Sequence, residues 1–188
     1  MNGAIKFFRR FIDEMEKCDI ATYKHGGSSF TNYMTTLIER ILEEEFSLKT
    51  EREYLRIDVI GWMDRKNEIK EDAEFWCLNP HLWDLYVAVE HENNPYDWTD
   101  EVIKMAHIRC PLKIIIGYNY CDCRDTDMEK LQTALNWMSK TNVYSSCENE
   151  ALLFIFGNAS AKRSRENYES FDYQGYIYAD NSLKSIEL

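Results

Sequence analysis

The sequence predicts a mixed α/β sandwich, and three observations predict it. Apolar residues recur at helical spacing in two N-terminal segments. Short alternating or fully apolar segments follow. Two further helical patterns separate the later ones. The predicted order is helix, helix, strand, strand, strand, helix, strand, helix, strand, strand. That is a sheet laid down as a meander and then a helical crossover.

The first helix is read from Gly3 to Cys18, on the stripe Ile5, Phe8, Phe11, Ile12 and Met15. His25-Gly26-Gly27-Ser28-Ser29 interrupts it, and Ser28 or Ser29 suits the N-cap of the next helix. That helix carries Phe30, Met34, Leu37, Ile38, Ile41 and Leu42 and ends near Phe46, after Glu43-Glu44-Glu45. Tyr54 to Trp62 alternates and reads as a strand, with Leu55, Ile57 and Val59 on one face and Asp58 on the other. A charged turn runs from Asp64 to Lys70. A weaker extended stretch is expected over roughly Ala73 to Leu78. Trp83 to Glu92 is the clearest strand: Leu85, Val87 and Val89 share one face, Tyr86, Ala88, Glu90 and Glu92 the other.

Asp97 or Thr99 begins a helix through about His107, with Trp98, Val102 and Met105 inward. Pro111 closes that region, and Leu112 to Gly117 reads as a buried strand. Thr126 or Asp127 caps a helix to about Lys140. Ala151 to Phe156 is an apolar strand and Tyr173 to Ala179 a more exposed one.

A chain of 188 residues is read as one domain, long enough to bury about 70% of its unfolded surface. Its 14% aromatic content excludes a disordered chain, and 7 Gly with 3 Pro exclude a collagen-like or linker-like one. With Asp+Glu 33 against Lys+Arg 22, the net charge is −11, which argues against a non-specific nucleic-acid coat protein. A local basic groove, or an acidic metal site that itself adds negative charge, stays compatible with that balance. No stretch approaches the roughly 18 apolar residues of a membrane span, so no membrane partner is expected. Met1 to Glu16 carries scattered charge and no small-residue cleavage site, so a secretory signal is not expected and a cytoplasmic location is. Cysteines stand at 18, 77, 110, 121, 123 and 147 without a CxxC spacing, and reduced thiols are the expectation.

Three acids draw attention by position. Asp58 falls inside a strand, while Glu90 and Glu92 fall two residues apart near the end of another, hence on one face. Carboxylates are seldom buried unless paired or bound to a cation. Mg²⁺, with Mn²⁺ as its substitute, takes oxygen ligands from one or two carboxylates and keeps several waters. The carbonyl of His91 offers a further oxygen. The His91 ring alternates toward the apolar side, where packing or a hydrogen bond is expected.

Ile57-Asp58-Val59 followed by Val87-Ala88-Val89-Glu90-His91-Glu92 resembles the signature of the PD-(D/E)xK nuclease superfamily. The element order, and Trp98…Glu101-Val-Ile-Lys104…Pro111-Leu-Lys-Ile-Ile-Ile as crossover helix and fourth strand, extend the resemblance over roughly residues 30–120. It implies a restriction-endonuclease-like three-layer sandwich, a central mixed sheet flanked by helices, with residues 126–180 extending the sheet. It implies metal-dependent hydrolysis of DNA, with Asp58, Glu90, the His91 carbonyl and Glu92 around the ion. The superfamily's lysine position holds Glu92, an arrangement similar to its ExE members. Lys104 in the next helix would restore a positive group if it faces inward. Glu39 is the candidate for the acid that many members carry on the first core helix, with Glu45 as second choice.

His25 and His81 have no His or Cys partner at ligand spacing, and the Cys121/Cys123 pair alone cannot fill a tetrahedral site and reads as two free thiols. Weaker signals are the basic residues Lys24, Lys66, Lys70, Lys162, Arg163 and Arg165, the last three of which are suited to touch phosphates. The alternative to an enzyme is a nuclease fold kept as a catalytically silent binding or assembly module. Its partner would be a protein or a second copy of the chain.

Overall fold

A computed structural model describes residues 2–18, 27–65, 68, 70–77, 83–94, 97–119, 124–140, 150–159, 171–179 and 182–187. Five helices are described: α1 (Asn2–Met15), α2 (Gly27–Phe46), α3 (Lys70–Trp76), α4 (Trp98–Ala106) and α5 (Arg124–Ser139). Seven strands, β1 (Lys49–Tyr54), β2 (Ile57–Asp64), β3 (Trp83–Glu92), β4 (Leu112–Asn119), β5 (Ala151–Ala159), β6 (Phe171–Ala179) and β7 (Ser182–Ser185), form one sheet in sequence order. β1, β2 and β3 run antiparallel, β3, β4 and β5 parallel, and β5, β6 and β7 antiparallel again. No helix among the described residues is long and apolar enough to cross a membrane.

Alternation along the strands builds two cores. Val59, Val87, Val89, Ile114, Ile116 and Leu153 pack beneath α1 and α2. Ile60, Ala88, Ile115, Leu152 and Phe154 pack beneath α4 and α5. All eight residues of β4 are buried, as a central parallel strand covered on both faces requires. On the first face α1 buries Phe7, Phe8 and Phe11, each contributing about 1.5–3 kcal/mol relative to exposure. Phe8 lies so close over Gly175 that a Cβ there would come within 2.9 Å of its ring. On the second face, α4 and α5 are the crossovers joining β3 to β4 and β4 to β5.

Three local features differ from the sequence expectation. Tyr54 to Trp62 is not one strand. The register pairs Tyr54 with Ile57 and leaves Leu55 and Arg56 as a two-residue turn. Both have positive φ, 51° and 64°, the geometry of a type I′ hairpin. No Gly, Asn or Asp marks that turn, so the alternation ran through it unbroken. The stretch expected as extended over Ala73–Leu78 is helical from Lys70 to Trp76, with Glu71 and Asp72 favourably placed in its first turn; Leu78 lies outside the described residues. Third, two strands outside the sequence expectation, β1 and β7, close the sheet at its two edges and carry mostly charged and polar residues, the usual protection of an edge.

Candidate active site

β2 and β3 pair with Val59 opposite Val89, which sets Asp58 and Glu90 side by side one step further on. Glu90 alternates with Ala88 and so faces α4, where it is only 3% exposed. Asp58 is anchored by main chain: the His91 N–H donates to its Oδ2 at 2.7 Å. α4 points Trp98, Val102 and Met105 into the core and sends Glu101 and Lys104 toward the strands. Lys104 therefore faces inward. Its Nζ lies 2.7 Å from Glu90 Oε1 and 2.5 Å from Glu101 Oε2, and it donates to the Arg56 carbonyl at 2.9 Å.

One lysine serves several acids here. Burial pushes the Glu90 carboxyl up to about 8 against the pull of Lys104, and the Asp58 and Glu101 charges push the same way. Burial also raises Asp58, opposed by the His91 amide and assisted by Glu53, which the register sets across from it. Glu92 is raised by burial, with Glu101, Asp97 and Asp58 adding to the effect. Burial works against the Lys104 charge, but its bonds to Glu101 and Glu90 outweigh that and raise its pKa. The distances at Lys104 are those of charged hydrogen bonds, so one ammonium is shared between Glu90 and Glu101.

The predicted residues separate into those near this point and those away from it. Asp58, Glu90 and Lys104 come together. Glu92 is half-buried on the same face, but its Oε1 accepts the Asn94 N–H at 2.6 Å. Among the described residues no three His, Cys, Asp or Glu side chains form a ready-made chelating set, so Asp58, Glu90 and Glu92 do not converge as one. The defined contact of the His91 main chain is its amide on Asp58; its ring turns to the other face. There it is buried against Phe30 and Tyr118, with Nε2 2.8 Å from the Tyr118 hydroxyl, and burial pulls its pKa down to about 3. That makes it a neutral core group.

Glu39 does not join the cluster. It belongs to α2, which covers the opposite face of the sheet, and it pairs with Arg52 of β1. Glu45 pairs with Lys6 and Arg10 of α1. His25, His81, Cys121, Cys123, Lys24, Lys66, Lys162, Arg163 and Arg165 lie outside the described residues, as does the side chain of Lys70.

Glu101 is the residue that sequence reasoning missed. Its signal was its place three residues before Lys104, a spacing that ordinarily reads as a solvent-facing ion pair. The donor chemistry suits a hard cation: Mg²⁺ needs only one or two carboxylates, with water and phosphate oxygens completing its shell. No protein-family model matches the chain, and no curated protein or solved structure compared with it gives a match.

Proposed function

We propose that this chain is a metal-dependent nuclease-like enzyme that hydrolyses phosphodiester bonds in DNA. A restriction-endonuclease-like arrangement is part of that proposal. What supports it is the order α2, β1, β2, β3, α4, β4, with the acids on β2 and β3 and the crossover helix above them. The observation that carries it is the surplus of acid: the carboxyls of Asp58, Glu90 and Glu101 crowd one lysine, Lys104, and the buried Glu90 keeps its proton up to about 8 until a second cation is supplied.

Asp58 and Glu90 would hold Mg²⁺ or Mn²⁺. When bound, the ion lowers the pKa of a coordinated water and offsets charge on the phosphate. With Glu90 taken up by the ion, Lys104, still tied to Glu101 and to the Arg56 carbonyl, would have an N–H to donate to a phosphate oxygen from a fixed point on α4. Glu92 accepts a proton from the attacking water at the edge of the cluster. The His91 amide holds the Asp58 carboxylate in one orientation.

Nicking of supercoiled plasmid tests this. Nicking is expected with Mg²⁺ or Mn²⁺. It should be lost in EDTA and fall at least about a hundredfold in Glu90→Gln and Asp58→Asn. Wild-type protein that leaves the plasmid intact with either ion overturns it. One observation favours the silent-module alternative: Lys104 already stands 2.7 Å from Glu90 and neutralises part of the acid charge. The same assay separates the two.

A further inference from the structure

The turn between β1 and β2 is unusual in ways the nuclease proposal does not use. Two-residue hairpin turns with positive φ are normally Asn-Gly or Asp-Gly, because a side chain with a Cβ is strained there. Here the positions are Leu55 and Arg56, at φ 51° and 64°, and the preceding Glu53 is at 56°. Leu55 is 73% exposed at the tip of this strained turn and is available for contact. Arg56 is exposed and makes no ion pair among the described residues, although its strand neighbours carry the acid cluster. The turn is also fastened to that cluster, because Lys104 donates to the Arg56 carbonyl at 2.9 Å. Strained positions of this kind concentrate at ligand-contacting elements.

A guanidinium with no ion pair among the described residues and an exposed leucine side by side can meet a phosphate and the apolar face of the neighbouring sugar or base. In a protein of net charge −11, a ligand of that kind needs a local cation to approach the acids. Resting on the nuclease proposal, we infer that the Leu55–Arg56 turn is the DNA-engaging element of the site. Arg56 contacts a phosphate flanking the one at Asp58 and Glu90, and Leu55 packs against the neighbouring sugar or base.

Binding of a labelled DNA duplex by the intact chain tests this, with Ca²⁺ in place of Mg²⁺ to occupy the carboxylates. Arg56→Gln should weaken binding roughly tenfold and lower the slope of log K against log salt by about one. Leu55→Ser should weaken binding with the slope unchanged. Arg9→Gln, the same charge change on exposed α1 across the sheet, should leave binding as it was. The double variant Leu55→Asn, Arg56→Gly installs the preferred turn. It should raise the melting temperature by a few degrees while losing affinity, which separates a binding role from a folding one. Affinity retained in that variant, Arg56→Gln indistinguishable from Arg9→Gln, or no DNA binding by the parent, overturns the inference. A parent that nicks plasmid while these variants bind normally removes the turn and leaves the nuclease standing. Arg56-dependent binding without any nicking does the reverse.

Discussion

Two lysine–glutamate pairs lie on the α4–α5 side of the sheet, one buried and one half-buried, and they differ in what surrounds them. At the start of β4 and β5, Lys113 is 1% exposed and lies 2.5 Å from Glu150. Among the described residues a thiol, Cys110, feels both charges, and burial pushes it up to about 12. Toward the end of β3, Lys104 lies against Glu90 and Glu101 together, and the Asp58 charge bears on the same point. A buried pair whose charges cancel is a structural device. A half-buried lysine with more than one acid to satisfy is an arrangement that stability alone does not explain, and such sites are functional candidates.

The largest expected effect breaks the balanced pair. Lys113→Ala leaves Glu150 uncompensated and should cost about 3–5 kcal/mol, read by urea or thermal unfolding, with no recovery on adding Mg²⁺. Lys104 is 31% exposed, and Lys104→Ala should cost less, about 1–2 kcal/mol in EDTA. Unlike the first variant, it should regain melting temperature when Mg²⁺ or Mn²⁺ is added, because the acids then have another counter-charge. Equal responses of the two variants to the ion would erase the distinction.

A smaller effect concerns pH. The Glu90 carboxyl titrates near 8 when folded and near 4.5 when unfolded, so between these values the folded chain holds the extra proton. Its contribution to stability is complete below about 4.5 and is lost as pH rises through about 8. His91 has the opposite sign. It titrates near 3 when folded and near 6.5 when unfolded, so its contribution is complete above 6.5 and is lost as pH falls toward 3. Melting temperature measured across pH in EDTA should therefore lose its alkaline decline in Glu90→Gln and keep its acid decline. The smallest effect is at Glu39→Gln. It removes a part-exposed pair with Arg52 and should change stability by no more than about 1 kcal/mol, with nicking unaltered. A large loss of nicking there would return Glu39 to the site.

The central strands were legible because burial on both faces leaves a strong apolar record. Trp83–Glu92 was bounded correctly by alternation, and Leu112 onward by its apolar run after Pro111. Asp58 and Glu90 stood out as charges placed against that pattern, whereas Lys104, on a helix, was suggested only by the resemblance. β1 was not legible, since its sequence, Lys-Thr-Glu-Arg-Glu-Tyr, is an edge strand with no apolar face to read. Nor was the turn at Leu55–Arg56, which lacks the residues that usually signal one. Glu101 was hidden because an acid three residues before a lysine on a helix looks like surface. Glu39 was misjudged because its partner, Arg52, belongs to that unseen edge strand, and partners across a sheet edge leave no local spacing.

Titration calorimetry with Mn²⁺ on the intact chain at pH 8 addresses most directly whether the surplus of acid exists to hold a cation. One or two ions should bind, with binding abolished in Glu90→Gln and Asp58→Asn and unchanged in Glu39→Gln. An absence of binding by the wild-type chain, or binding that survives in Glu90→Gln, would contradict it.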